Sequence, residues 1–403
     1  MTVDEEFAFD PMDASKAKDW ELIGRIRDAG AVSRVGGLVF TARFDETQGA
    51  FRNARSFSSS GDMRAPGVVV PEEERFLGEL DPPLHPKIRR ILLRGFTPNA
   101  AMAAEPWTRD NVRRRLGRFG KEGGGDLMAI LAIPLPGSVA AHALGIPDEM
   151  HDQVMDWCND LLHSTWPTTG ETERGVGIPG AFPELTGAID EQIRQRRAAG
   201  PGATDDLLSV MVHAEAPDGW RIPDAHIRTL TVNILAGSLS ASYMIGNLLY
   251  RYLTEPEGFA AELASDRSKI AVAVDESLRF EPPVLFMFRH ATENTELGGC
   301  PVTAGEHLLL SIASANRDER AYPDAGEFRL DREAGPEHLA FGAGPHLCLG
   351  NHLTRMVGRV VLDEMLAQFP PGSVELAPGF QWVCVDHMLE YGPEGLDAVV
   401  AGG

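Results

Sequence analysis

The segment Phe341-Gly342-Ala343-Gly344-Pro345-His346-Leu347-Cys348-Leu349-Gly350 constrains this chain more than any other stretch. Three glycines within nine positions strip side chains from a tight loop, so the backbone can approach a flat ligand and turn its amides toward the cysteine sulfur. From Leu349 onward, Met356, Val360, Leu362 and Leu366 recur at helical spacing, which predicts a helix that begins at the cysteine. Amide donors and a helix start both stabilise a thiolate, and a thiolate binds iron. The same pattern also suits a small cysteine packed inside a glycine-bearing turn.

Around this loop the chain reads as mainly helical. Ala225 to Leu253 lacks proline and is apolar nearly all round, which predicts one long helix through the core. Short β-branched or alternating pieces at Gly37 to Arg43, Met287 to Ala291, His307 to Ile312 and Val383 to Tyr391 predict small sheets. The Gly/Pro-rich stretches Trp166 to Pro183 and Ala199 to Ala203 read as loops inside a single domain covering residues 1–403. Four widely separated cysteines, with no Cys-x-x-Cys pair, argue against a disulfide scaffold and for a reducing compartment. Met1 to Trp20 holds six acidic residues and no apolar run suited to a signal peptide or anchor, so a cytoplasmic protein with no membrane partner is expected. A net charge of −22 disfavours nucleic acid. Lys87 to Lys121 departs from that balance, with ten basic residues against two acids.

The cysteine segment resembles the haem-binding loop of the cytochrome P450 family, Phe-Gly-x-Gly-x-His-x-Cys-x-Gly. Phe341, Gly342, Gly344, His346, Cys348 and Gly350 match it position for position. The resemblance implies a mainly α fold with small β-sheets and haem b (iron protoporphyrin IX) between a long central helix and the cysteine-loop helix. Cys348 is then the iron ligand. It further implies that His85, Arg89, Arg289, His338 and His346 hold the haem propionates. Glu276 and Arg279 stand three apart on a predicted helix, where their side chains meet. They resemble the family's buried ion pair, which holds the haem loop in place, with Arg332 completing the cluster. Substrate-facing positions are implied in Gly61 to Gly78, in Trp157 to Pro183 with its glycine- and proline-rich lid, at Ala236 and Ser240, at Val284, Leu285 and Phe286, and from Val383 to Met388. Strand alternation would turn only some of Phe286, Met287 and Phe288 inward.

Ala236-Gly237-Ser238-Leu239-Ser240-Ala241 is similar to the family's Ala-Gly-x-(Asp/Glu)-Thr-Thr, with Leu239 in place of the acid, Ser240 in place of the first threonine and Ala241 in place of the second. The resemblance implies that the Ser240 hydroxyl assists oxygen activation, while Leu239 relays no proton. Protons then arrive by another route, through water, Ser238 or a polar substrate group, or the reaction needs less of them. The implied activity is a monooxygenase that inserts one oxygen atom from dioxygen into a small apolar molecule. Electrons would come from a ferredoxin-type carrier docked on a basic face including Arg109, Arg113 and Arg114. Two alternatives stay open: the same fold running oxidative coupling, nitration or peroxide-driven oxidation, and a non-catalytic haem sensor. The branch that uses peroxide with a fatty-acid carboxylate held by a helix arginine is disfavoured, because no arginine lies between Leu230 and Tyr250.

Overall fold

The computed structural model describes residues 7, 9–11, 13–61, 64, 68–332 and 335–401. Part of the acidic start and part of the Gly61 to Gly78 loop lie outside them. The architecture is mainly helical with small sheets. The helices that carry the residues singled out above are α1 (Phe44–Arg52), α2 (Leu84–Leu92), α3 (Pro98–Glu122), α4 (Asp224–Gly237), α5 (Ser240–Thr254), α6 (Lys269–Phe280) and α7 (Asn351–Gln368).

Backbone contacts divide the chain into two compact units. One comprises Met1–Ser58, Trp107–Ile133 and Ser240–Gly403; the other comprises Ser59–Pro106 and Pro134–Leu239. In the first, a five-stranded sheet is built from β1 (Val32–Val35), β2 (Leu38–Thr41), β3 (Phe57–Ser58), β4 (Phe286–Ala291) and β5 (His307–Ser311), in the order β1-β2-β5-β4-β3. β5 pairs parallel to β2, Leu309 opposite Phe40, and antiparallel to β4, Leu308 opposite Arg289. This register sends Phe286 into a core with Phe9 and Phe40, whose rings lie 5.3 to 6.1 Å apart at the steep angles aromatic pairs favour. Leu285 is buried in the same cluster. Leu285 and Phe286 are therefore core residues rather than substrate-facing ones, which corrects the expectation for both. Their side chains are spent on the sheet.

Helix α7 buries Leu353, Met356, Val357, Val360, Val361 and Met365, the three- and four-residue spacing of one apolar face. Gly358 lets that face approach closely, since a Cβ there would meet Val274 of α6 at 3.1 Å and Met244 of α5 at 3.2 Å. α5, α6 and α7 are thus packed tightly against one another at Gly358. In the second unit, α2 buries His85, Ile88, Ile91 and Leu92, again at helical spacing.

The expected single helix from Ala225 to Leu253 is two helices, interrupted at Ser238–Leu239. There the amides of Ser238 and Leu239 bond Leu235 and Ala236 three residues back, and the Ser238 hydroxyl donates to the Leu235 carbonyl at 2.6 Å. A serine hydroxyl that competes for backbone carbonyls is a known cause of such a break. The stretch Asp224–Thr254 has the length and apolarity of a membrane span, but 61% of its apolar window is buried in the protein, as in a core helix. Val383 to Tyr391 forms no strand. Two isolated bridges, Val284 with Glu390 and Cys384 with Pro393, are all its sheet-like pairing, because turns at His387 and Glu390 bend it. Trp166 to Pro183 contains short helices and a two-stranded hairpin rather than plain loop.

Candidate functional site

Cys348 is exposed, at the end of a loop fixed at both ends by backbone bonds. Its amide donates to the Phe341 carbonyl at 2.9 Å, and its own carbonyl accepts from Asn351 Nδ2 at 2.8 Å. Gly342 and Gly344 take φ of +66° and +69°, the left-handed region that a side chain disfavours. A Cβ on Gly344 would lie 2.8 Å from the Arg52 Cα and the Phe51 carbonyl oxygen, so the loop is seated directly on the C-terminal end of α1. Gly350 lies beside the sulfur: a Cβ there would stand in ordinary contact with Cys348 Sγ, at 3.9 Å. Helix α7 begins one residue later, at Asn351. Cys158 provides the contrast, since complete burial pushes its thiol up to about 12 and keeps it protonated.

Phe341 anchors the loop's near side. It is buried, its ring lies 5.5 Å from that of His338, and the Arg355 guanidinium sits 4.7 Å over its face. His338 Nε2 is 3.3 Å from Asp275 Oδ1, its Nδ1 accepts from the Ala340 amide, and Arg355 Nε donates to the same Asp275 oxygen at 2.7 Å. Asp275 was not singled out from the sequence. Its position beside the Glu276–Arg279 pair on α6 was the available signal. His346 sits partly accessible in the single turn Gly344–His346. Arg289 on β4 is buried, donates to the Phe288 carbonyl and stacks 5.5 Å from the Phe51 ring, the same residue that underlies Gly342 and Gly344.

The ion-pair cluster is fully assembled. Arg279 donates to both Glu276 oxygens at 2.7 Å, and both side chains are only 3% exposed. Arg332 Nε reaches the same carboxylate at 3.1 Å, and the Arg329 amide adds a bond at 2.9 Å. Arg279 also donates to the carbonyls of Asn316, Ala325 and Glu327. One guanidinium thereby ties α6 to the segment that leads toward the cysteine loop. Burial works against ionisation of Glu276, but the bonds from Arg279 and Arg332 outweigh it and hold the carboxyl below its ordinary range.

The other expected residues are distributed as follows. Ser240 opens α5 and is partly accessible. Ala236, near the end of α4, is buried in the second unit. His85, on α2 of that unit, is buried; burial first, then the charge of Arg89 one turn on, push its pKa down to about 4. Val284 is partly buried and bridged to Glu390, and Val383 is 51% exposed. Of the arginines expected to form a basic face, Arg109 is bound to Asp363 and Glu364 of α7 at 2.5 and 2.8 Å, and Arg113 to Glu364 at 2.9 Å. Arg114 and Arg118 point into solvent one helical turn apart.

These features meet the matches found among known proteins. The family model for cytochrome P450 matches residues 270–378, which contain the ion-pair cluster and the cysteine loop. Erythromycin C-12 hydroxylase of Saccharopolyspora erythraea is 33% identical over 341 residues, 83% of this chain and 82% of that one. Nocardicin C N-oxygenase of Nocardia uniformis subsp. tsuyamanensis is 36% identical over 74% of this chain and 73% of its own. The solved structure of a mutant of P450 EryK in complex with erythromycin B superposes with a TM-score of 0.84 at 28% identity, covering 97% of this chain and 98% of that one. The chain belongs to the cytochrome P450 family. It is a cytochrome P450 monooxygenase, a haem-dependent oxidoreductase.

The residues present fit a haem. The sulfur is accessible on a loop with no side chain at three nearby positions. In the first unit the buried Arg289 is a donor of the kind that a haem-edge carboxylate requires. In the second, the buried, neutral His85 stands one turn before Arg89.

Proposed function

We propose that Cys348 binds the iron of haem b, and that the enzyme inserts one oxygen atom from dioxygen into a small apolar organic substrate. The haem, when bound, supplies the oxygen-activating iron. The chain's own residues bind and orient it: His85, Arg89, Arg289, His338 and His346 hold the propionates, Phe341, Gly342, Gly344 and Gly350 shape the bed for the sulfur, and Glu276, Arg279 and Arg332 fix the segment behind the loop. Ser240 donates its hydroxyl hydrogen bond on the oxygen side. Ala236, Val284 and Val383 line the substrate's approach. The 403 residues act as one P450 domain, in the cytoplasm. The observation that carries this reading is the exposed Cys348 on a loop whose Gly344 is pressed against α1.

Electrons come from a ferredoxin-type carrier on the face of α3. Arg109 and Arg113 define its edge while already bound to Glu364, so Arg114 supplies the charge left for a partner. Leu239 favours a second reading, in which the same site runs oxidative coupling, nitration or peroxide-driven oxidation, since it removes the family's acid. The relatives' names cover both a hydroxylase and an N-oxygenase, so the family context accommodates more than one reaction. A panel of small organic molecules screened for a high-spin shift of the Soret band finds the ligand. Product analysis with dioxygen against hydrogen peroxide then separates the readings: product formed only with dioxygen and electrons supports the monooxygenase, and product formed only with peroxide overturns it.

A further inference from the structure

Tyr243 stands three residues after Ser240 and so lies on the same face of α5, one turn along. Ser240 and Tyr243 are partly accessible, whereas Ala241, Ser242, Met244 and Ile245 are buried. The two hydroxyl-bearing side chains therefore share one open stripe. The segment Cys384 to Glu394 runs along the same helix: a Cβ on Gly392 would be 2.5 Å from Tyr243 Cβ, one on Gly246 would be 2.8 Å from Pro393 Cγ, and Asn247 Nδ2 donates to the Tyr391 carbonyl. From this segment the Glu390 carboxylate faces the Tyr243 hydroxyl closely enough to raise its pKa. His387 Nδ1 lies 3.7 Å from Glu390 Oε2. The backbone of Glu390 is bridged to Val284, which fixes where its carboxylate is presented. An acid, a phenol and an imidazole thus converge one helical turn from the serine whose neighbouring acid is replaced by Leu239.

We propose that Glu390 and Tyr243 form the proton route to Ser240, in place of the acid that Leu239 displaces. This rests on the reading of Ser240 as the hydroxyl that assists oxygen activation. Glu390 takes a proton from solvent, directly or through His387. It passes that proton to the Tyr243 oxygen as the phenol's own proton leaves through water toward Ser240 Oγ. Each group ends in its starting protonation state, one proton has moved inward, and no electron changes place. Burial first, then the carboxylate of Glu390, raise the pKa of the Tyr243 phenol, which keeps its proton available as a donor at neutral pH. The titratable groups that face it are Cys384, Glu390 and Glu394 from the C-terminal segment, with His387 behind Glu390.

The test uses the haem-loaded enzyme without substrate, with NADPH electrons delivered through plant ferredoxin reductase and ferredoxin, and reads the hydrogen peroxide released per dioxygen consumed. Proton delivery favours water over peroxide, so the ratio should be well below one in the wild type and rise at least twofold in Tyr243→Phe and in Glu390→Gln. Glu390→Asp should restore part of the difference. Ser240→Ala should raise the ratio too, and the Ser240→Ala/Glu390→Gln pair should be no worse than Ser240→Ala alone. In the carbonmonoxy protein labelled with ring-13C tyrosine, the Tyr243 resonance, assigned by its loss in Tyr243→Phe, should move in Glu390→Gln and titrate at lower pH. A wild-type ratio of one, unchanged ratios in both relay variants, or a Tyr243 resonance indifferent to Glu390 would overturn the proposal. If Ser240→Ala raises the ratio while the relay variants do not, the relay fails and the reading of Ser240 stands. If Ser240→Ala changes nothing, that reading fails first.

Discussion

Glu276→Gln should destabilise the protein far more than its near-identical shape suggests. In the wild type one carboxylate accepts five guanidinium contacts from Arg279 and Arg332, between 2.7 and 3.1 Å, and a backbone amide at 2.9 Å. Glutamine removes the charge and turns an NH₂ group toward arginine donors, leaving Arg279, 3% exposed, as a buried cation with carbonyl partners alone. Breaking a buried pair from one side costs about 3–5 kcal/mol. With a urea m-value of about 3 kcal/mol/M for a chain of this size, the midpoint should fall by about 1–1.7 M. The assay is urea unfolding followed by far-ultraviolet circular dichroism and by loss of the Soret band. Because the folded pKa of Glu276 lies below its ordinary 4.5, its contribution is fully present above about pH 4.5 and is lost as pH falls through the lowered value. The gap between variant and wild type should therefore close in acid. Glu276→Met/Arg279→Met/Arg332→Met should recover much of the loss, since no orphaned charge remains. A Glu276→Gln midpoint within 0.3 M (roughly 1 kcal/mol at that slope) of the wild type at pH 7 would refute the reasoning.

Other consequences are checked separately. Gly344→Ala must hold a side chain at φ +69° against the Arg52 backbone, which costs about 1–2 kcal/mol for the backbone alone and should weaken haem retention at least tenfold in a transfer assay to apomyoglobin. Arg114→Glu should slow reduction by ferredoxin several-fold at low salt and flatten its ionic-strength dependence, whereas Arg109→Ala should instead lower thermal stability by exposing the Asp363–Glu364 pair. His85 is held neutral by a pKa near 4, so in the haem-free protein stability should decline as pH falls from about 6.5 toward 4, and a His85→Asn variant should show a flatter profile.

The cysteine loop and the cluster at Glu276, Arg279 and Arg332 were legible because each is written in local spacing: glycines at fixed offsets, or charges three apart on a helix. The strands at Leu38, Phe286 and His307 followed from β-branched alternation for the same reason. What could not be read was set by distant contacts. Leu285 and Phe286 look like any apolar wall in sequence, and only the pairing of β5 with β4 on one side and with β2 on the other turns them toward Phe9 and Phe40. The need for glycine at 344 comes from Arg52, on a helix at the other end of the chain. The basic run from Lys87 to Lys121 hid its partners, because Asp363 and Glu364 lie far along the sequence. The helix break at Ser238–Leu239 was missed because apolar periodicity continues through it while the hydrogen bonds do not.

The account turns on sulfur ligation by Cys348, and the reduced, carbon monoxide-treated protein tests it most directly. The account predicts a strongly red-shifted Soret maximum for the wild type, absent in Cys348→Ala even where haem is retained in equal amount. A wild-type spectrum without that shift, or a Cys348→Ala spectrum that keeps it, would contradict the assignment.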